Sequence, residues 1–258
     1  MQRSRKVWFE RNLGCRGVNG DLGDPQPRRV LVVAAHPDDI DFAVAGTVAR
    51  LTKAGVDVVY GVVTDGDAGE APEGVPREDV AVLRRSEQEE AARAVGVSDI
   101  RFLGLPDGRI ETNLELRCAI TRVIRDVRPD VVVAPAHEWR WDRFFANHPD
   151  HLAVGLATLF AVYPDARNTY AHPELLAEGL EPHVVEQVWI WGHAAPNHCV
   201  EVTDTLGLKL DALRAHRSQV AGFEDLEGLI RGWGEAAAVE GGLPAGQLAE
   251  SFLVRRTG

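Results

Sequence analysis

Short apolar runs alternate with longer stretches of helical spacing along most of the chain. Residues 30–35, VLVVAA, form an unbroken apolar run, which predicts a strand buried on both faces. DFAVAGTVARLTKAG, residues 41–55, spaces its apolar positions for a helix that stops at Gly55. The pattern then repeats. VDVVYGVVTDG (56–66) predicts a second buried strand, and the segment 77–96 a long helix ending at Gly96. DIRFLGL (99–105) predicts a third strand. Residues 114–128 predict a helix closed by Pro129, and DVVVAPA (130–136) a fourth strand. Beyond it, HLAVGLATLFAVY (151–163) predicts a helix, VVEQVWIWG (184–192) a strand and residues 206–219 a further helix.

Strands and helices alternating at this spacing predict βαβ units. The expected fold is therefore α/β: a Rossmann-like, mostly parallel sheet with helices on both faces. In such sheets ligands bind beyond the carboxyl ends of the strands. Loops that leave those ends are where chemistry is to be sought.

Composition narrows the partners. Of 258 residues, 45% are apolar and 26% charged, which suits an ordinary globular domain with a full core. The formal net charge of −11 argues against a nucleic-acid backbone and against an anionic lipid surface. Cys15, Cys118 and Cys199 are widely separated and form no CxxC pair, so neither a disulfide framework nor a cysteine-based zinc site is expected. No run approaches the roughly 18 apolar residues of a membrane span, and the basic start lacks the apolar core of a secretory signal. These features are read as a cytoplasmic protein.

Two loops carry chemistry. AAHPDDID (34–41) follows the first strand, and Pro37 favours a turn that presents His36, Asp38 and Asp39 together. NHPDHLAVG (147–155) follows the fourth strand, and its turn at Pro149 projects His148, Asp150 and His151. Taken singly, each motif also matches a helix N-terminus with a capping or first-turn aspartate. Together they lie at the ends of two parallel strands and can face one cleft. Imidazoles with carboxylates and no cysteine suit a catalytic zinc site with an open position better than a closed structural one. A nucleotide-binding loop is not expected, because no glycine-rich turn follows the first strand.

HPDDID and HPDHLAVG resemble the two signatures of the LmbE-like, or PIG-L-like, de-N-acetylases. TDGDAG (64–69), RRSEQEEAARAVGV (84–97), FLGLPDG (102–108) and KLDALRAHRSQ (209–219) also look like family segments. The resemblance covers roughly residues 29–222. It leaves an N-terminal extension over 1–28 and a C-terminal segment over 223–258, read as a cover for the site or for an interface. It implies zinc ligation by His36, Asp39 and His151, with Asp38 as general base. It also implies His148 as acid or oxyanion stabiliser, oriented through a hydrogen bond from Asp150, which would raise its pKa. The fifth position of the first motif, often Glu or Asp in the family, is here Ile40, with Asp41 next.

The implied activity is removal of an N-acetyl group from an amino sugar or a sugar-containing small molecule. The implied cofactor is Zn²⁺, although His/Asp ligands also accept Fe²⁺, Co²⁺ or Mn²⁺. Arg84 and Asp107 are weaker candidates for binding sugar hydroxyls; the alternatives are a salt bridge with Glu87 and a simple turn aspartate. Trp139, Trp141, Phe144 and Phe145 crowd the loop before the second motif, for core packing or for stacking on a sugar. His216 either reaches the site from the C-terminal helix or is structural. His137, His172, His183, His193 and His198 are read as structural or surface residues. A homo-oligomer is left open by the resemblance, and no surface pattern indicates one. Two other readings also stay open: a metal-dependent hydrolase of another amide or ester, and a sugar-binding member without catalysis.

Overall fold

The computed structural model describes residues 26–69 and 73–258; most of the extension read over 1–28, with Cys15, lies outside them. Strand β1 (Arg29–Ala34) leads into helix α1 (Asp39–Lys53), β2 (Asp57–Thr64), α2 (Val80–Ala94), β3 (Asp99–Leu105), α3 (Leu114–Val127) and β4 (Val131–Pro135). Helices α4 (Pro149–Phe160) and α5 (Pro173–Ala177) follow, then β5 (Gln187–Trp191) and β6 (His198–Glu201). The chain closes with α6 (Leu206–Ala215), α7 (Arg217–Val220), α8 (Leu226–Glu240) and β7 (Ala249–Arg256). Among the described residues the strands form one sheet in the order β3-β2-β1-β4-β5-β7-β6. The first five run parallel, and β7 lies antiparallel to both of its neighbours.

Strand residues point alternately to two cores. Val30, Val32 and Ala34 pack with α1, α2 and α6 on one face. Leu31, Val33 and Ala35 pack with α3 and α4 on the other. Helices therefore cover both faces, as the alternating pattern predicts. The chain order is what creates the cleft. From β1 it winds outward through β2 and β3, then returns to lay β4 against the other side of β1. That reversal opens a crevice at the carboxyl ends of β1 and β4. AAHPDDID leaves the first of these ends and NHPDH follows the second.

Close packing fixes the second motif against the end of β4. A Cβ on Gly155 would lie 2.4 Å from the carbonyl oxygen of Pro135, so α4 can approach β4 only where this position has no side chain.

The C-terminal segment contributes to the sheet itself. Residues 226–240 form a helix, and β7 enters the sheet between β5 and β6. The short AESFLVRR alternation is inconspicuous beside a Gly- and Ala-rich stretch, and its long-range pairing has no local signal. Its buried Glu250 explains why an acidic residue sits in a strand interior. It accepts hydrogen bonds from the amides of Gly46 (3.0 Å) and Thr47 (2.7 Å) on α1 and from Lys209 Nζ (2.6 Å) on α6. A buried charge with this many partners is compensated, and it ties the last strand to the helix that begins at the first motif. No helix among the described residues is long and apolar enough to cross a membrane.

Candidate active site

The turn after β1 is built by its own side chains. Asp39 Oδ2 accepts the amides of Ala35 (3.1 Å) and His36 (2.9 Å), curling the chain so that His36 and Asp39 face the same way. Asp38, between Pro37 and α1, is held at φ 90°, a left-handed conformation that costs a non-glycine residue about 1–3 kcal/mol. The surroundings enforce it. The Asp38 amide donates to Gln88 Oε1 at 2.9 Å, and Arg84 Nη2 reaches both the Pro37 carbonyl (2.8 Å) and Asp38 Oδ2 (3.1 Å). At the second motif, His148 caps α4, its Nδ1 accepting the Asp150 amide at 3.3 Å. With Nδ1 as acceptor, the proton of a neutral His148 sits on Nε2.

The two turns converge. His36 Nδ1 lies 3.2 Å from His151 Nε2 and 3.5 Å from Asp39 Oδ2, and Asp39 Oδ1 lies 3.0 Å from His151 Nε2. Oxygen and nitrogen ligands about 2.0–2.2 Å from a tetrahedral zinc ion stand about 3.3–3.6 Å apart. The two histidine nitrogens, with one oxygen of Asp39 near each, thus gather donors 3.0–3.5 Å apart, close to the spacing one cation requires. His148 stands beside them, its ring 4.8 Å from that of His36 and 5.0 Å from that of His151, and one nitrogen from each of these three histidines lies within 4.8 Å of the other two.

The far nitrogen of His36 is also held. Nε2 lies 3.1 Å from Asp107 Oδ1 and 3.3 Å from Asp150 Oδ2, the carboxylate-backed imidazole that metal sites use to fix a ligand's ring. The electrostatics agree with a cation site. Burial works against a charge on His36, yet its bonds to Asp107 and Asp39 raise its pKa to about 10. Burial likewise disfavours charge on Asp39, and His151 and His36 outweigh it and hold that carboxyl well below the usual range. A field of carboxylates that binds a proton so firmly attracts a divalent cation too. For Asp38, burial and then the neighbouring Asp39 push the pKa up to about 6, against the opposing charges of Arg84, His216 and His36.

Several expectations change. Arg84 is buried, at 5% exposure, and donates to Gly66 O (2.7 Å) as well as to Pro37 and Asp38; it supports the turn and has no access to sugar. Its pairing with Glu87 is also not formed, because Glu87 accepts from Ser218 instead. Asp107 faces inward, accepting the Ala68 amide (2.8 Å) and backing His36. The Asp150 carboxylate does not orient His148. It accepts the amides of Gly108 (2.8 Å) and Ile110 (3.3 Å), and the hydrogen bond that His148 receives comes from the Asp150 backbone amide. Burial, then the charges of His36 and His151, lower the pKa of His148 despite Asp150.

His216 is fully buried and meets Asp41 Oδ2 at 2.8 Å. The same oxygen accepts from Gln88 Nε2 at 2.8 Å, so His216 acts behind Asp38 through Gln88. Gln88 escaped the reading of the sequence. Its signal was available: Arg84, Glu87, Gln88 and Ala91 share one buried face of α2 at helical spacing, and three of them are polar. Trp139, Trp141 and Phe144 are exposed and cluster with ring centroids 5.7–5.8 Å apart, which departs from a core-packing role; the side chain of Phe145 lies outside the described residues.

Comparison with known proteins gives a consistent result. The family model described as PIG-L, GlcNAc-PI de-N-acetylase, matches residues 31–162. A diacetylchitobiose deacetylase from Thermococcus kodakarensis is 34% identical over 192 residues, covering 74% of this chain and 70% of that protein. A probable N-acetyl-α-D-glucosaminyl L-malate deacetylase from Bacillus anthracis is 31% identical over 201 residues, covering 75% of this chain and 82% of its own length. Among solved structures, an N,N′-diacetylchitobiose deacetylase from Pyrococcus horikoshii in complex with an inhibitor superposes with a TM-score of 0.82. It is 29% identical, and the match covers 92% of this chain and 87% of that one.

Proposed function

The chain belongs to the PIG-L family of GlcNAc-PI de-N-acetylases, and from that premise we propose that it is a metal-dependent hydrolase that removes an N-acetyl group from an amino sugar. The observation that carries this reading is the convergence of His36, Asp39 and His151 within 3.5 Å of one another beside the buried carboxylate of Asp38. Relatives named as deacetylases of diacetylchitobiose and of N-acetylglucosaminyl malate support a glucosamine unit as the substrate's acylated part. The exposed aromatic cluster on the loop leading into the second motif suits stacking on a sugar face.

His36, Asp39 and His151 would hold the zinc ion, which when bound would supply a Lewis acid able to acidify water and polarise an acyl carbonyl. The chain's own groups handle the protons. Burial and the neighbouring Asp39 raise the pKa of Asp38 above the ordinary carboxylate value while leaving it ionised at neutral pH, so its carboxylate can take a proton from the attacking water. Arg84 fixes one oxygen of that carboxylate and keeps it facing the turn. The water oxygen bonds to the acyl carbon, and negative charge gathers on the former carbonyl oxygen. His148 is neutral with its proton on Nε2, so it donates a hydrogen bond to that oxygen. Asp38 then passes its proton to the leaving nitrogen as the C–N bond breaks, giving the free amine and acetic acid, which loses its remaining proton to solvent as acetate. Oxyanion donor is thus the role of His148, and Asp38 carries the proton in both steps.

The test is release of acetate from N-acetylglucosamine, N,N′-diacetylchitobiose and N-acetylglucosaminyl malate by zinc-loaded protein, with product mass as the readout. No acetate from any of them, with Zn²⁺, Fe²⁺, Co²⁺ or Mn²⁺, would remove the reading.

Two consequences concern supporting residues. Asp107→Asn weakens the hold on the far nitrogen of His36, and loss of such a partner costs about 10–100-fold in metal affinity; competition with a chelator measures it. Protonated Asp38 cannot act as a base, so activity falls as pH drops. The acid limb is expected at or below pH 6, since any cation beside Asp38 lowers its pKa further. Arg84→Met removes a charge that favours the carboxylate, so the limb moves to higher pH and the loss of kcat at pH 6 exceeds that at pH 8.

A further inference from the structure

A second set of ligand-grade side chains lies away from the active site and shares no residue with it. Cys118 projects from α3 towards the segment that enters α5, where His172 and Glu174 sit. Cys118 Sγ is 3.2 Å from Glu174 Oε1, and His172 Nδ1 is 3.4 Å from the same oxygen. One sulfur, one nitrogen and one oxygen thus lie within 4.8 Å of one another. Around a tetrahedral zinc ion, with sulfur at about 2.3 Å and nitrogen or oxygen at about 2.0–2.2 Å, neighbouring ligands stand about 3.3–3.6 Å apart.

The site is backed as a metal site is backed. The far nitrogen of His172, Nε2, lies 3.4 Å from Asp165 Oδ2. Asp165 is itself clamped by Arg117 through two bonds, Nε at 2.9 Å and Nη2 at 2.7 Å. A carboxylate on the outer nitrogen fixes the ring and makes the inner nitrogen a better ligand. The same device holds His36 in the active site, so the chain builds it twice. The cluster also lines an open surface depression of about 680 Å³, which leaves room for a ligand at a fourth position.

We propose that Cys118, His172 and Glu174 form a second divalent-metal site that takes Zn²⁺ through a thiolate, an imidazole and a carboxylate. On binding, the sulfur–metal bond replaces the S–H bond and the proton leaves to solvent. Three protein ligands and one open position describe the site, and its softness, from sulfur, separates it from the nitrogen–oxygen set at His36.

Sulfur also makes it testable independently of deacetylation. The metal-free full-length protein, with reduced thiols, is titrated with Co²⁺ while near-ultraviolet absorption and bound metal are followed. Wild type is expected to bind two equivalents, with thiolate-to-cobalt charge-transfer absorption saturating at one. Cys118→Ser is expected to lose that absorption and one equivalent, with its circular dichroism unchanged. His151→Ala is expected to lose the other equivalent and keep the absorption. His172→Gln is expected to weaken the thiolate-linked binding at least about tenfold. A wild type without thiolate absorption at saturating Co²⁺, absorption that survives Cys118→Ser, or unchanged affinity in His172→Gln would each overturn the proposal.

Discussion

Asparagine at position 38 is expected to leave the bound metal in place and to lower kcat by about 10²–10⁴-fold, the range that general base catalysis contributes. The substitution is nearly isosteric, so little else changes. Asn tolerates the left-handed backbone at φ 90°, and its amide can still donate to Gln88 Oε1, which accepts the Asp38 amide at 2.9 Å. Its carboxamide oxygen can still accept from Arg84. What is lost is the ability to take a proton. Metal analysis and steady-state kinetics on one preparation separate the effects. Loss of metal with loss of rate would make position 38 a ligand, and retention of both would remove it from the chemistry.

His151→Ala has the opposite signature. The ring contributes one of three donors, and losing a direct ligand is expected to cost more than the roughly 100-fold upper range for an outer partner. Bound metal at that site and acetate release should fall together, and a large excess of Zn²⁺ should restore part of both. His151 is partly exposed and sits on the first turn of α4, so secondary structure should survive. Kinetics and metal content measured across a zinc titration check it. Full activity at low zinc would take His151 out of the ligand set.

Local signals decide which parts of the site a sequence can announce. His36, Asp38, Asp39 and His151 are legible because each turn packs its chemistry into a few consecutive residues, and the strand pattern says where the turns face. The α/β architecture is legible for the same reason, since βαβ periodicity is local. Arg84 and Asp107 are different. Each looks free to meet a sugar, and each is committed to a partner dozens of residues away. No local pattern records which way such a side chain turns once the helix or loop docks. Asp150 and His148 show this over two residues. Once α4 begins, the backbone amide of Asp150 faces the imidazole while its carboxylate points towards His36 and the loop at Gly108. Strand β7 is the fold's equivalent, because its partners β5 and β6 are set by topology and not by its own eight residues.

The left-handed backbone at Asp38 has an evolutionary consequence. Glycine occupies that conformation without steric penalty, so Asp38→Gly relieves strain while deleting the carboxylate. Where the strain outweighs the bond from Arg84 that the carboxylate accepts, a regime that rewards only endurance to heat pulls this position towards glycine and towards a robust, inert protein. The carboxylate persists only where turnover itself is under selection, so a library screened by melting temperature should be counter-screened at this one position.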